Sequence, residues 1–345
     1  MTPRSPIVRA RVPLRLGLAG GGTDLSPYCD EFGGAVLNVT IDRYAYAFIE
    51  PADDGQVHFI APDMDLEERF PPDLEAIQSA KLQLHAGVLS RMSREFADGR
   101  VAPLRITSFV DAPAGSGLGS SSALVVALVE AFRTYLGLPL GQYDVAHTAF
   151  EIERLELKLA GGKQDQYAAT FGGANFIEFL DHNRVIVNPL RVPAAQLNEL
   201  ETSTVICFTG VSRRSEKIIE DQTRRMTGAT RALDDLHQLK ADAIEMKLAL
   251  LRGEVEHMAV VLNRSWEAKK RTASGISTDL IETLYTKGRE AGAIGGKVSG
   301  AGGGGFMMFL VPPPRRMQLI RALNAAGGTA SGVHFTNQGA ESWSP

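Results

Sequence analysis

The segment Pro113-Ala-Gly-Ser-Gly-Leu-Gly-Ser-Ser-Ser-Ala123 constrains this chain more than any other. It packs three glycines and four serines into eleven residues and runs directly into the apolar stretch Leu124–Phe132. Glycines let the backbone come close to a ligand, and the free N–H groups and dipole of a following helix attract an anion. A fold that contains this segment must bring a side-chain-poor turn and a helix N-terminus to one place. Serine hydroxyls there can cap the helix or reach a metal ion. The plainer reading is a turn with a serine N-cap, yet three consecutive serines exceed what one cap requires. The segment is not a P-loop, because no Gly-Lys-Ser/Thr closes it, and Gly115–Ser120 lacks the last glycine of the dinucleotide fingerprint.

Two further glycine sites flank it. Lys297-Val-Ser-Gly-Ala-Gly-Gly-Gly-Gly-Phe306 places five glycines among residues 300–305. It matches GxGxxG formally, but the following Phe306-Met-Met-Phe-Leu310 reads as a strand and not a helix, so the Rossmann context fails. Such density suggests a surface pressed against a ligand rather than a plain hairpin. Near the N-terminus, Pro13-Leu-Arg15-Leu-Gly-Leu-Ala-Gly-Gly-Gly-Thr23-Asp24 runs from a strand into glycines. Thr23 and Asp24 can cap a helix with Pro27 in its first turn, and they are also groups that hold sugar hydroxyls. Between these sites lie the acids Glu151 and Glu153, and Asp165 within Gly161-Gly-Lys163-Gln164-Asp165. A carboxylate beside a lysine or arginine is held ionised and can be oriented as a base.

Alternating apolar residues predict strands over 7–18, 36–49, 57–61, 104–110 and 174–180. Helices are expected over 74–96, 120–136 and 142–159. The segment Pro189–Pro193 is the best boundary, dividing the chain into 1–190 and 191–345. Beyond it come a strand at 202–209, helices at 215–227, 229–251, 254–271 and 278–290, strands at 293–298 and 305–311, a helix at 315–325 and a strand at 329–335. Strands and helices intersperse without regular βαβ alternation, which favours an α+β layered fold over a doubly wound sheet.

The 345 residues carry a formal net charge of −4 and no run of Lys or Arg, which argues against nucleic acid or an anionic membrane as partner. No apolar run approaches the ~20 residues that cross a bilayer. Met1-Thr-Pro-Arg-Ser-Pro6 has no hydrophobic signal core. Cys29 and Cys207 lack metal spacing and read as buried free thiols in a reducing cytoplasm. Monomer and homodimer both fit the sequence.

Taken together and in order, the three motifs resemble the GHMP kinases, named for galactokinase, homoserine kinase, mevalonate kinase and phosphomevalonate kinase. The resemblance covers essentially the whole chain. It implies a ribosomal protein S5-like N-terminal domain that binds ATP and Mg²⁺, and a ferredoxin-like C-terminal domain that completes the substrate cleft. It implies ATP phosphates on Pro113, Gly115, Ser116, Gly117, Leu118, Gly119, Ser120, Ser121 and Ser122. Mg²⁺ would be held by Ser121 and Glu153, with Glu151 the alternative, and residues near 60–110 would wall the adenine. The catalytic aspartate would be Asp165. Where many members carry a lysine in the first motif, this chain has Arg15, which cannot act as a base at neutral pH but can steady the transferring phosphoryl group. Within the family, Pro13–Asp24 and Gly161–Tyr167 most resemble the bacterial D-glycero-D-manno-heptose 7-phosphate kinases, which phosphorylate the anomeric hydroxyl to the 1,7-bisphosphate on the way to GDP-heptose. L-fucokinase domains share a similar start, so an L-fucose or galactose 1-kinase is an alternative, as is a catalytically silent sugar and ATP sensor. The substrate would meet Gly22, Thr23, Asp24, Lys163, Gln164, Gly302 and Gly303, and its phosphate would meet Arg213, with Arg214 and Lys217 beside it.

Overall fold

In the computed structural model, β1 (Val8–Ala19) buries Val8, Ala10, Val12, Leu14 and Leu16 completely, as its alternation requires. The structure describes residues 7–181, 183–212, 216–226 and 230–345. After β1 come α1 (Tyr28–Phe32), β2 (Gly34–Pro51), β3 (Val57–Ala61), β4 (Leu66–Phe70), α2 (Leu74–Ile77), α3 (Gln83–Phe96), β5 (Leu104–Val110), α4 (Ser120–Tyr135), α5 (Gln142–Phe150), α6 (Gln164–Phe171), β6 (Ala174–Phe179) and β7 (Val185–Pro189). The second half holds α7 (Ala194–Ser203), β8 (Thr204–Phe208), α8 (Glu216–Met226), α9 (Thr230–Arg252), α10 (Val255–Thr272), α11 (Asp279–Glu290), β9 (Gly295–Val298), β10 (Phe306–Leu310), α12 (Arg316–Ala325), β11 (Thr329–Ser331) and β12 (Glu341–Trp343).

These strands build two sheets. The first runs β12-β1-β2-β5-β3-β4, with β6 pairing the N-terminal half of β2 and β7 beyond it. Its pairs are antiparallel except β3 with β5. The second runs β11-β8-β10-β9, wholly antiparallel. This is an α+β architecture: predominantly antiparallel sheets with helices packed on them.

The segment between β7 and α7 contains the expected division at 190 and 191, and β8 to β11 all follow it. The core does not stop there. One apolar cluster joins Leu14, Leu16 and Leu37 of the first sheet to Met246 and Leu250 of α9, Met258 of α10, and Ile206 and Met308 of the second sheet. The chain end returns to the first sheet, where Ala10 pairs with Ser342 and Ile41 bridges to Phe335.

Several elements differ from the sequence expectation for identifiable reasons. The helix expected over 74–96 is two helices, because the Glu68 carboxylate on β4 accepts the N–H groups of Lys81 (3.0 Å) and Leu82 (2.9 Å) and starts α3 afresh. The helix expected over 142–159 is α-helical only to Phe150 and continues as a π-helical turn, Glu151–Glu156. Strands β4, β7 and β12 and helix α7 were not expected, and β12 is only three residues that pair with a strand more than 300 positions away.

Candidate active site

A cleft of about 410 Å³ opens where the three glycine motifs meet. One wall comes from Arg15, Gly20–Gly22 and Asp24, from Gly115, Gly117 and Gly119–Ser122, from Glu153 and Arg154 of the π-turn, and from Leu159–Gly162, Gln164 and Asp165. The other comes from Ser212, Glu216, Ile219 and Gln222, from Ser265 and Lys269, and from Lys297–Gly302 and Gly304.

The loop before α4 turns three times in succession. Gly115, Gly117 and Gly119 have φ of +72°, +79° and +77°, the left-handed region that glycine alone enters freely. Gly119 is the N-cap of α4, and no side chain caps that helix. The serines are used otherwise: Ser120 donates to the Pro113 carbonyl (3.4 Å), Ser122 donates to Glu153 (2.7 Å), and Ser121 is exposed to the cleft. The helix therefore presents an uncapped N-terminus to the cavity, the arrangement that binds phosphate.

The second glycine motif presses on this loop. A Cβ on Gly117 would sit 2.3 Å from the Ser299 carbonyl oxygen, one on Gly300 2.7 Å from the Gly117 Cα, and one on Gly305 2.3 Å from the Ser116 carbonyl oxygen. Ser299 Oγ donates to the Gly117 carbonyl (2.8 Å) and the Phe306 N–H to that of Ser116 (2.8 Å). The density of glycine here thus serves contact between two backbones, and the two sheets are joined through it. Gly302 lines the cleft, whereas Gly303 does not and gives its N–H to the Ile276 carbonyl (2.8 Å).

The third motif supplies the charged centre. Arg15 is buried in β1 and forms a two-pronged pair with Asp165 Oδ1, through Nε at 2.8 Å and Nη2 at 2.6 Å. Its Nη1 donates to the Gly117 carbonyl (2.6 Å), and its backbone N–H to Leu118 (3.1 Å). Asp165 stands in the first turn of α6 and lies against Gly119, where an added Cβ would meet its Cγ at 3.3 Å. A partly exposed carboxylate, held by a buried guanidinium at the start of the phosphate loop's helix, is placed to accept a proton from a bound hydroxyl.

Glu153 is buried within the π-turn and lines the cleft. Its Oε2 accepts from Ser122 and from Gln166 (2.6 Å), and Arg154 lies 3.1 Å from Oε1. Glu151 points elsewhere, to Arg91 (2.8 Å) and His147 (3.3 Å). The π-turn separates the two acids, so Glu153 alone borders the cavity. Ser121 and Glu153 both line the cleft, and a hydroxyl and a carboxylate are hard oxygen donors of the type magnesium takes.

Other expected residues divide between the cavity and the scaffold. Gly22, Asp24 and Gln164 line the cleft, with Asp24 accepting from Gly22 N (3.1 Å), Gln164 N (3.2 Å) and Gln164 Nε2 (3.0 Å). Thr23 does not line it: its hydroxyl is buried, donates to the carbonyls of Gly20 (2.8 Å) and Ala35 (3.0 Å) and accepts the Ala35 N–H. Neither Thr23 nor Asp24 caps α1, whose N-cap is Pro27. Lys163 also lies off the cleft, paired with Asp30 (3.0 Å) and donating to Asn183 (2.8 Å). Lys217 is exposed and off the lining, while Arg213 and Arg214 lie outside the described residues. Both cysteines are buried and free.

Two cleft lysines were missed by sequence reasoning. Burial pushes the Lys269 ammonium down to about 8. Burial pushes Lys297 down to about 7, and Lys269 and Arg15 nearby act the same way. Lys269 sits in the run Lys269-Lys270-Arg271, which reads as a solvated helix end. Lys297 carried a usable signal, a single charge in an otherwise small and apolar strand.

Residues 83–173 match the GHMP kinases N terminal domain, and residues 246–329 match the GHMP kinases C terminal. The chain is 42% identical over 97% of its length, and 98% of the relative's, to a D-glycero-alpha-D-manno-heptose 7-phosphate kinase of Campylobacter jejuni. It superposes with a TM-score of 0.83 on a D-glycero-D-manno-heptose 1-phosphate kinase of Bacteroides thetaiotaomicron, at 41% identity and covering 98% of this chain and 99% of the other. The fold extends further, to a galactokinase of Lactococcus lactis solved with galactose, at TM-score 0.75 and 18% identity over 97% and 95% of the two chains. With an uncapped phosphate helix, its glycine partner loop and the Arg15–Asp165 pair converging in one cleft, and with likeness running from end to end, the chain belongs to the GHMP kinase family, whose members transfer phosphate from ATP.

Proposed function

We propose that this chain phosphorylates the anomeric C1 hydroxyl of D-glycero-D-manno-heptose 7-phosphate with ATP, giving the 1,7-bisphosphate and ADP in the cytoplasm. The observation that carries the reading is the Arg15–Asp165 pair, set against both Gly117 and Gly119 of the phosphate loop. The named Campylobacter relative, at 42% identity, supports the choice of sugar. Among the described residues no helix is long and apolar enough to cross a membrane.

In this mechanism ATP lays its phosphates on residues 115–122 and the N-terminus of α4. Asp165 accepts the C1 hydroxyl proton while that oxygen bonds to the γ-phosphorus, and the bond from γ-phosphorus to the β,γ-bridging oxygen breaks to release ADP. Arg15 aims the carboxylate and adds positive charge beside the transferring group. Positioning and charge neutralisation of this kind carry most of phosphoryl transfer. A magnesium ion arriving with the nucleotide would be held by Ser121 and Glu153 and would neutralise phosphate charge. Gly22, Asp24, Gln164 and Gly302 border the place left for the sugar.

Phosphorus NMR of the product made from heptose 7-phosphate and ATP tests the reading. A new anomeric phosphate signal beside the retained 7-phosphate is expected. Turnover of L-fucose or galactose with none of the heptose phosphate would move the chain to another sugar 1-kinase. Binding of sugar and ATP without turnover of any sugar would make it a sensor.

A further inference from the structure

The steps above leave one part of the cleft without a task. Lys269 Nζ and Gln222 Nε2 converge over Gly22, where an added Cβ would lie 3.0 Å and 2.5 Å from them. Gln222 is 1% exposed, its Nε2 has no hydrogen-bond partner, and its Oε1 accepts from Lys269 (3.3 Å). Lys297 lines the same cleft and, among the described residues, its ammonium makes no hydrogen bond or ion pair.

Among the described residues, no acid of the cleft forms an ion pair with either lysine, although the Asp24 charge favours the Lys269 ammonium. Asp165 is taken by Arg15, Asp24 by two N–H groups of Gln164 and that of Gly22, and Glu153 by Ser122, Gln166 and Arg154. Glu216 also borders the cavity and forms no ion pair with either lysine. The Lys269 ammonium therefore meets only neutral acceptors, the Gly21 carbonyl (3.1 Å) and Gln222 Oε1 (3.3 Å), and the Lys297 ammonium and the buried Gln222 amide donor face the cavity without one. Unpaired buried donors and charges are costly, and an anionic ligand removes the cost.

We propose that Lys269, Lys297 and Gln222 form the pocket for the phosphate that the acceptor sugar already carries. The inference rests on the sugar phosphate reading and adds the subsite that would make this enzyme select a phosphorylated acceptor. Lys269 and Gln222 gather at Gly21 and Gly22, beside Asp24 and Gln164, whereas the nucleotide phosphates belong on residues 115–122. That placement points to the sugar's own phosphate and not to the one in transit for Lys269 and Gln222, and Lys297, which feels the charges of both Lys269 and Arg15, borders the same cleft between the two.

The test compares kcat/KM for heptose 7-phosphate and for unphosphorylated heptose, in wild type and in Lys297→Met, Lys269→Met and Gln222→Leu. The ratio of phosphorylated to free sugar is expected to fall about 10- to 100-fold for each lysine variant, because hydrogen bonds to charged groups contribute roughly 1.5–3 kcal/mol. Lys297→Arg should restore most of the ratio. Inorganic phosphate should compete with heptose 7-phosphate in wild type and more weakly in the variants. An unchanged ratio, or a selective rise in KM for ATP, would overturn the pocket and assign the lysines to the nucleotide side. Wild-type turnover of free sugars alone would overturn the substrate reading itself, before any variant is compared. Thermal unfolding of each variant separates these outcomes from loss of fold, and Gln222→Leu, which removes no charge, keeps the pocket testable if a lysine variant fails to fold.

Discussion

Arg15 Nη2 lies 2.6 Å from Asp165 Oδ1, joining the first strand of the chain to the helix that starts 149 residues after it. Because Arg15 also donates to the Gly117 carbonyl, one guanidinium ties the carboxylate to the glycine loop. Geometry of this kind lets a weak base act on one hydroxyl and no other.

Asp165→Asn should lower kcat by about 10²- to 10⁴-fold, the usual worth of a positioned general base. The asparagine keeps the shape and can still accept from Arg15, so circular dichroism and KM for ATP should stay near wild type. Retention of most of kcat in the folded variant would remove Asp165 from the role of base.

Gly117→Ala should damage both stability and nucleotide binding. Its φ of +79° strains any other residue, and the new Cβ would strike the Ser299 carbonyl at 2.3 Å. Gly137 is the control, with φ of +66° and nothing within 4 Å, so Gly137→Ala should cost only about 1 kcal/mol of backbone strain. Denaturant midpoints and KM for ATP of the two variants check this. Equal midpoints would mean that the contact between the glycine motifs is slack.

Ser121 and Ser122 are neighbours with opposite surroundings, one open to the cleft and one bonded to Glu153. Ser121→Ala should raise the Mg²⁺ concentration for half-maximal activity while barely changing the melting temperature. Ser122→Ala should cost about 1–3 kcal/mol of stability, because it removes a donor from a buried carboxylate. Magnesium titrations and thermal unfolding run on both would expose a reversed assignment.

Acceptor affinity should depend on pH through Lys297 and Lys269. Their ammonium groups are pushed down to about 7 and about 8, and only the protonated forms attract an anion. Arg15 opposes protonation of Lys297, Asp24 favours that of Lys269, and Asp165, Glu153, Arg154 and Glu216 also border the cavity. As pH rises through 7 to 8 the lysines of the free enzyme lose protons, so KM for the phosphorylated sugar should rise by up to about tenfold per pH unit for each lysine. An unphosphorylated sugar should show a flatter profile, and Lys297→Met should flatten the phosphorylated one. A KM that is constant from pH 6.5 to 9 would show that neither lysine binds the acceptor as a cation.

Much of this was legible in the chain because the chemistry is local. Glycine at every second position of 115–119 announces repeated left-handed turns, and the serines and apolar run that follow announce a helix start. That segment, with Asp165 and Arg15 in their motifs, carries the phosphate loop and its charged pair, and alternation is enough to find β1, β3 and β5. What periodicity cannot carry is direction and distant pairing. Thr23 and Lys163 have the right chemistry for a sugar, but tertiary packing turns the hydroxyl to Gly20 and Ala35 and the ammonium to Asp30. Glu151 and Glu153 are two residues apart, and a π-turn, which widens the helix, sends one to Arg91 and the other to the cavity.

By itself, then, the sequence determined the glycine loop with its helix start, the family resemblance and the α+β class, because each depends on the backbone freedom or polarity of a few consecutive residues. Only the tertiary structure decided that the glycines at 300 and 305 face the loop at 115–117, that Glu153 and not Glu151 borders the site, and that Lys269 and Gln222 meet over Gly22 in a cleft that Lys297 also borders. Those facts depend on which groups from distant segments are buried together, and burial, not spacing, determines which donors are left for a ligand.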